Sequence, residues 1–151
     1  MIDPYNDEYF MRQALIEANK GLEKKEVPVG AVVVSNKQII ARAHNLTEQL
    51  TDVTAHAEIQ AITAAAQFIG AKHLKNCTMY VTLEPCKMCA GALYWSQIDK
   101  VVFSVRDESR GAGLFTPSLY HPTTLVVNGV LKEECRTIIQ QFFQKKRKSA
   151  I

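Results

Sequence analysis

Two short segments place the strongest constraint on how this chain can fold. The first is His56-Ala57-Glu58 and the second is Pro85-Cys86-Lys87-Met88-Cys89. Cysteines three positions apart present their sulfurs on one face of a helix, where both can bind one ion. Pro85 suits the first turn of a helix, whose positive end favours thiolates, the form that binds zinc. The fold must therefore bring the starts of two separate helices together around one metal ion.

The donor set predicts a zinc ion with room for a water molecule. His56, Cys86 and Cys89 supply three ligands, and tetrahedral zinc takes four, so the fourth position is left for water, as in catalytic zinc sites. A structural site needs a fourth protein ligand, which Cys77 or His44 could still provide. We favour the catalytic interpretation because the three ligands fall at two expected helix starts and an acidic residue accompanies them.

Glu58 is the acidic residue that this chemistry requires. It lies two positions from His56, so on a helix its carboxylate points well away from the imidazole and is a poor co-ligand. Two thiolates neutralise Zn²⁺ and weaken its pull on a bound water, so a nearby carboxylate must take the proton and redeliver it. We therefore predict Glu58 as the catalytic proton shuttle.

Composition is that of an ordinary globular chain. Its 151 residues fit one domain spanning 1–151, and 47% are hydrophobic and 22% charged. No apolar run approaches the roughly 20 residues of a membrane span, and the polar start is unlike a secretory signal, so we expect a cytoplasmic protein with no membrane partner. A net charge of +3 permits a nucleic-acid partner without arguing for one.

Cys77 and Cys135 stand alone in apolar surroundings and are expected to be buried small hydrophobes.

The apolar pattern predicts helices that alternate with strands. The expected elements are a helix over 7–20, strands over 28–34 and 38–42, a helix over 54–70, a strand over 78–82, a helix over 86–96, strands over 100–105 and 124–127, and a helix over 131–146. Thr54 is the expected N-cap of the second helix, and Gly70 is its expected stop. This order predicts an α/β fold of three layers, in which a mixed five-stranded sheet has helices on both faces.

Almost the whole chain resembles the bacterial tRNA-specific adenosine deaminases of the cytidine-deaminase-like zinc superfamily. The H-x-E and P-C-x-x-C motifs match the superfamily, and flanking segments are more specific to the tRNA branch. Those segments are 26–31, 43–45, 54–58, 80–92, 101–103 and 129–135.

The resemblance implies a cytidine-deaminase-like fold and a zinc-dependent hydrolase that converts the wobble adenosine of a tRNA anticodon to inosine and releases ammonia. One zinc ion per subunit would activate a water for attack on C6, while Glu58 would protonate N1 and later the departing amine. The base must leave its stack, which a single-stranded anticodon loop allows at low cost. The family is homodimeric, so a dimer interface near Cys89–Ala92, Tyr94 and Trp95 is expected, although such small residues also suit plain packing.

The resemblance also implies substrate contacts. Asn45 would hydrogen-bond the flipped base or its sugar, Val29 would form an apolar wall, and Ala55 would also contact the substrate. By residue type alone, Asn45 could instead close a turn.

Contacts with the rest of the RNA are expected at two places. The loop after the fourth strand contains Arg106, Asp107 and Arg110, and the chain end contains Phe143, Lys145, Lys146 and Arg147. Cations beside aromatic rings suit phosphate contact and base stacking. The cations equally suit a solvated helix end, where they favour the negative pole of the helix dipole. At least one of Phe142 and Phe143 is expected in the core.

Two other functions remain open from the sequence. A deaminase of the same fold could act on a free base or nucleoside such as guanine or cytidine, because pocket shape sets the substrate. His56 argues mildly against free-cytidine enzymes, in which cysteine often takes that place. A non-catalytic zinc module that binds RNA or protein is opposed by Glu58 and by the open ligand position.

Overall fold

A mixed five-stranded sheet positions the candidate site. The computed structural model describes residues 3–149. The strands are β1 (Gly30–Ser35), β2 (Gln38–His44), β3 (Cys77–Leu83), β4 (Lys100–Val105) and β5 (Leu125–Asn128). They lie in the order β2-β1-β3-β4-β5, with β1 antiparallel to β2 and β3, and with β3, β4 and β5 parallel. The predicted mixed five-stranded sheet is confirmed.

Helices cover both faces of this sheet. They are α1 (Asp7–Glu23), α2 (Ala57–Ile69), α3 (Lys87–Ser96) and α4 (Lys132–Ser149), with a short 3-10 turn at Ala112–Leu114. Successive side chains of a strand point to opposite faces, so Ala31 and Val33 of β1 belong to one core cluster with residues of α2 and α3, and Val32 and Val34 belong to another with residues of α1 and α4. The three-layer α/β fold predicted from the alternation of elements is confirmed.

The start of α2 differs from the sequence prediction. The helix begins at Ala57 with His56 in the N-cap position, so the expected cap at Thr54 is wrong. The physical reason is a local turn, because the Asp52 carboxylate accepts hydrogen bonds from both the amide and the hydroxyl of Thr54. The expected stop at Gly70 is confirmed, since this residue adopts the left-handed conformation with φ of 71°.

Cys77 and Cys135 are buried free thiols, as predicted. Neither Phe142 nor Phe143 is buried, so the expected core residue among them is wrong. The reason is that α4 buries residues only in its first half, at Cys135 and Ile138.

None of the helices within residues 3–149 has the combination of length and apolarity needed to cross a bilayer.

Candidate active site and metal centre

The starts of α2 and α3 bring three metal-binding side chains together. His56 is the N-cap residue of α2, Cys86 is the N-cap residue of α3, and Cys89 lies in the first turn of α3. Nδ1 of His56 lies 3.7 Å from Sγ of Cys86 and 3.5 Å from Sγ of Cys89, and all three donor atoms lie within 4.8 Å of one another. Zinc bonds of ordinary length at tetrahedral angles separate nitrogen and sulfur ligands by about 3.6 Å. The donor set therefore fits zinc in both chemistry and spacing.

Hydrogen bonds among the three donors shift their pKa values in opposite directions. A hydrogen bond from Cys89 lowers the pKa of the Cys86 thiol to about 3, and the same contact raises the pKa of Cys89. The hydrogen bond with Cys86 likewise raises the pKa of His56. The three groups share protons among themselves, and zinc binding displaces those protons because its ligands must be thiolates and a neutral imidazole.

A fourth protein ligand does not join this group among residues 3–149. Sγ of Cys77 donates to the carbonyl of Lys75, and Nδ1 of His44 lies 3.3 Å from a carboxylate oxygen of Glu17. Neither of the side chains considered for a structural zinc site is available to complete one. The described residues therefore offer three protein donors, and a zinc ion held by them would keep one position for a water molecule.

Glu58 lies beside the ligands without belonging to their set. It occupies the first turn of α2, its side chain is only 4% exposed, and it lines the cleft together with His56 and Cys86. Burial raises the pKa of its carboxyl to about 7. The arrangement puts a carboxyl group within reach of a molecule that is bound at the metal centre.

The cleft above the metal centre has a volume of about 810 Å³. Its floor is formed by His56, Glu58 and Cys86. Its walls come from the segments around β1 and β2, the end of β3, the loop after β4 and one face of α4. The wall residues are Val27, Val29, Asn45, Thr47, Leu83, Glu84, Val105, Arg106, Asp107, Glu108, Ser109, Arg110, Lys132, Arg136, Ile139, Gln140, Phe143 and Lys146.

Two of the three residues predicted to contact the substrate line the cleft. Val29 and Asn45 line the cleft, whereas Ala55 is fully buried and does not. Oδ1 of Asn45 accepts a hydrogen bond of 2.9 Å from the amide of Ala57, so Asn45 both lines the cleft and holds the start of α2. The carbonyl of Ala55 already accepts from the amide of Leu46.

Some of the residues predicted to contact the RNA line the cleft, and others do not. Arg106, Asp107, Arg110, Phe143 and Lys146 line the cleft, but Lys145 and Arg147 do not. The sequence reasoning missed Lys132, Arg136 and Gln140, which line the same wall of α4. Their spacing of three and four positions along a helix, continued by Phe143 and Lys146, was the signal that could have identified them.

The fold and this donor set define a zinc-dependent deaminase. The model of the cytidine and deoxycytidylate deaminase zinc-binding region matches residues 4–105. The tRNA-specific adenosine deaminase of Bacillus subtilis (strain 168) is 46% identical over 147 residues, which cover 94% of this chain and 91% of the relative. The chain therefore belongs to the cytidine and deoxycytidylate deaminase family, among the tRNA-specific adenosine deaminases.

Solved structures agree with this assignment. A tRNA:A34 deaminase studied for A-to-I editing at the wobble position of transfer RNA superposes with a TM-score of 0.80 at 39% identity, covering 86% of this chain and 98% of that one. The guanine deaminase of Bacillus subtilis superposes with a TM-score of 0.64 at 38% identity, covering 67% of this chain and 65% of that one. The fold thus serves deaminases of different substrates, and the walls of the cleft decide between them.

Proposed function

We propose that this chain deaminates the wobble adenosine of a tRNA anticodon to inosine and releases ammonia. The observation that carries the proposal is the set of five cationic side chains along the cleft, Arg106, Arg110, Lys132, Arg136 and Lys146. Free guanine, adenosine and cytidine carry no phosphate, so these charges would have no partner on such substrates. An RNA loop presents its base to the floor and its phosphates to the walls.

Each residue of the floor has a part in the reaction. His56, Cys86 and Cys89 would hold a zinc ion, which would supply a Lewis acid for activating water near neutral pH. Glu58 takes a proton from the attacking water and delivers it to N1 of the adenine as a C6–O bond forms. It then transfers the second proton to the exocyclic nitrogen, the C6–N bond breaks, and ammonia leaves. Water is consumed and inosine remains.

The neighbouring side chains orient the base. Asn45 hydrogen-bonds the base or sugar, and Val29 supplies an apolar wall. Ala55 acts indirectly, because its carbonyl ties the segment before His56 to the amide of Leu46. Asp107 supports its own loop, since its Oδ1 accepts from the amides of Ser109 and Arg110.

The RNA itself is held mainly by the loop after β4 and by α4. Arg106 and Lys146 contact phosphates, and Phe143, whose side chain is 40% exposed, offers a ring on which an unpaired base can stack. Lys145 and Arg147 add positive charge at the outer side of α4, where they attract RNA without contacting the bound loop.

The protein acts as a cytoplasmic homodimer of single-domain chains that each span residues 1–151. The support for the dimer is an aromatic surface on α2 and α3, where Trp95 is 75% exposed and Phe68 is 69% exposed. A Cβ added at Gly91 would meet nothing within 4 Å, so α3 also presents a flat stretch of backbone to a partner. Exposed aromatic side chains of this size are typical of protein interfaces.

The test of the proposed function compares four substrates. The zinc-loaded protein is incubated with an anticodon stem-loop RNA that has adenosine at the wobble position, and separately with adenosine, guanine and cytidine. We expect inosine only in the stem-loop, at a rate that falls as salt is raised. Turnover of free guanine or cytidine without turnover of the stem-loop would replace this function with that of a free-base or nucleoside deaminase.

A further inference from the structure

Glu84 is a buried carboxylate that the reaction described above does not use. It follows the last residue of β3, immediately before Pro85 and Cys86, and only 6% of its surface is exposed. Its Oε1 accepts a hydrogen bond of 2.9 Å from the amide of Asp107, and its Oε2 accepts one of 2.9 Å from the amide of Gly113. A carboxylate is rarely buried unless it is bonded in this way.

The loop over residues 106–113, which we call the arginine loop, closes tightly around this carboxylate. A Cβ at Gly111 would collide with Oε1 of Glu84, and a Cβ at Gly113 would lie 2.7 Å from Oε2. The guanidinium of Arg106 lies 3.9 Å from Oε2 and balances part of the charge. The path of the arginine loop therefore follows its contact with Glu84. Glycine is required at Gly111, where a Cβ would also meet the backbone carbonyl of Asp107 at 2.6 Å.

The metal-binding turn has separate attachments to the same loop. The amide of Glu84 donates to the carbonyl of Val105 at 2.7 Å, and the amide of Ala112 donates to the carbonyl of Pro85 at 2.9 Å. The backbone of Cys86 also pairs with that of Gly111. These backbone bonds would remain if the carboxylate of Glu84 were changed, whereas the amides of Asp107 and Gly113 would lose an acceptor. The side chain thus acts on the arginine loop more than on the metal ligands.

We propose that Glu84 is a positioning residue that holds the arginine loop as one wall of the cleft, so that Arg106 and Arg110 face an anionic substrate. The proposal rests on the proposed function for the identity of that substrate. The carboxylate of Glu84 is bonded to the amides of Asp107 and Gly113 and lies beside Arg106, so it acts on the substrate through the arginine loop. Its loss therefore weakens substrate binding and leaves the chemical step and the metal in place.

The experiment uses the zinc-loaded Glu84→Gln variant, in which an amide NH₂ faces one of the two backbone N–H donors. We expect KM for the stem-loop to rise about tenfold, equivalent to about 1.4 kcal/mol of binding, with kcat within about twofold of the unchanged protein. We also expect one zinc ion per chain and faster hydrogen exchange at the amides of Asp107 and Gly113.

The matched control is Glu17→Gln. Glu17 is a carboxylate that is only 3% exposed and pairs with Lys20 and His44, none of which lines the cleft. This control is expected to leave KM and the exchange of the Asp107 and Gly113 amides unchanged. A second variant, Gly113→Ala, keeps the carboxylate but forces the arginine loop away from it, and it should raise KM as Glu84→Gln does.

Two results would overturn the proposal. Loss of zinc from Glu84→Gln would mean that the side chain serves the metal turn, and unchanged exchange at the Asp107 and Gly113 amides would mean that it does not hold the arginine loop. The exchange measurement needs no substrate. If the unchanged protein did not act on the stem-loop, the proposed function would fail while the exchange data still decided the role of Glu84.

Discussion

At the scale of single residues, the site depends on buried polar side chains that hydrogen-bond to backbone amides of segments distant in the sequence. Asn45 holds the start of α2, and the fully buried Glu26 accepts hydrogen bonds from the amides of Glu48 and Gln49 and from the hydroxyl of Thr47. Glu26 therefore fixes one wall of the cleft as Glu84 fixes the other. Buried polar groups that are fully bonded in this way make a local structure unique, and breaking them is costly.

Residue-level packing predicts a large cost for Gly30→Ala. A Cβ at Gly30 would collide with the Ala14 carbonyl and the Ala18 amide of α1, and backbone atoms inside a helix cannot move aside. We expect the free energy of unfolding to fall by at least about 2 kcal/mol, measured by urea denaturation. The control is Gly21→Ala, whose Cβ would meet Cβ of His44 at 3.4 Å, an ordinary contact. An equal loss in the two variants would contradict the packing of α1 against β1.

Individual site residues were predictable from the sequence only where a motif names them. The zinc donors and Glu58 stand in two short motifs, so spacing and chemistry were enough to select them. The contacts of Glu84 could not be found in the same way, because its partners lie in a loop more than twenty positions further along the chain. Ala55 was selected by resemblance, and the structure buries it below the cleft wall.

At the scale of secondary structure, strands were predicted more accurately than helix starts. Strand β4 has the predicted bounds, Lys100–Val105, because a run of β-branched and apolar residues is buried on both faces. The start of α2 was misplaced by three residues. Its N-cap residue is His56, and the side chain that accepts from its first amide is Asn45, from a distant segment, rather than the neighbouring Thr54. Tertiary hydrogen bonds of this kind leave no local signal.

Helix α4 allows a direct test of whether RNA is bound by the cations that line the cleft or by the overall positive charge of the helix. We expect the double variant Arg136→Ala and Lys146→Ala, on the cleft wall, to raise KM for the stem-loop at least about tenfold and to reduce its salt dependence. The matched control, Lys145→Ala and Arg147→Ala, removes the same charge from side chains of α4 that do not line the cleft, and it should have a smaller effect. Equal effects in the two pairs would show that α4 attracts RNA through its overall charge alone.

At the scale of the whole molecule, the two helical layers have different tasks. The layer of α1 and α4 contributes one wall of the cleft, and the layer of α2 and α3 carries the metal ligands at its helix starts and exposed aromatic side chains further along. The active site therefore lies at one end of the strands, where the starts of α2 and α3 meet the loops that follow β2, β3 and β4.

The proposed dimer predicts a specific change in molecular mass. Trp95→Glu places a charge on the aromatic surface of α2 and α3, and we expect it to shift the protein from dimer to monomer in sedimentation equilibrium without lowering the helical content. Ile16→Glu is the control, since Ile16 is 44% exposed on α1, which packs on the opposite face of the sheet from α2 and α3. A Trp95→Glu variant that keeps the mass of the unchanged protein would place the interface elsewhere.

If a zinc centre and the carboxylate of Glu58 together convert the wobble adenosine to inosine, removing that carboxylate must stop the reaction and leave the metal bound. Glu58→Ala is purified alongside the unchanged protein, its zinc content is measured by atomic absorption, and inosine is quantified in the anticodon stem-loop. We predict one zinc ion per chain in both proteins and a rate reduced by at least about 10²-fold in the variant. Inosine formation at the unchanged rate, with zinc retained, would contradict the claim.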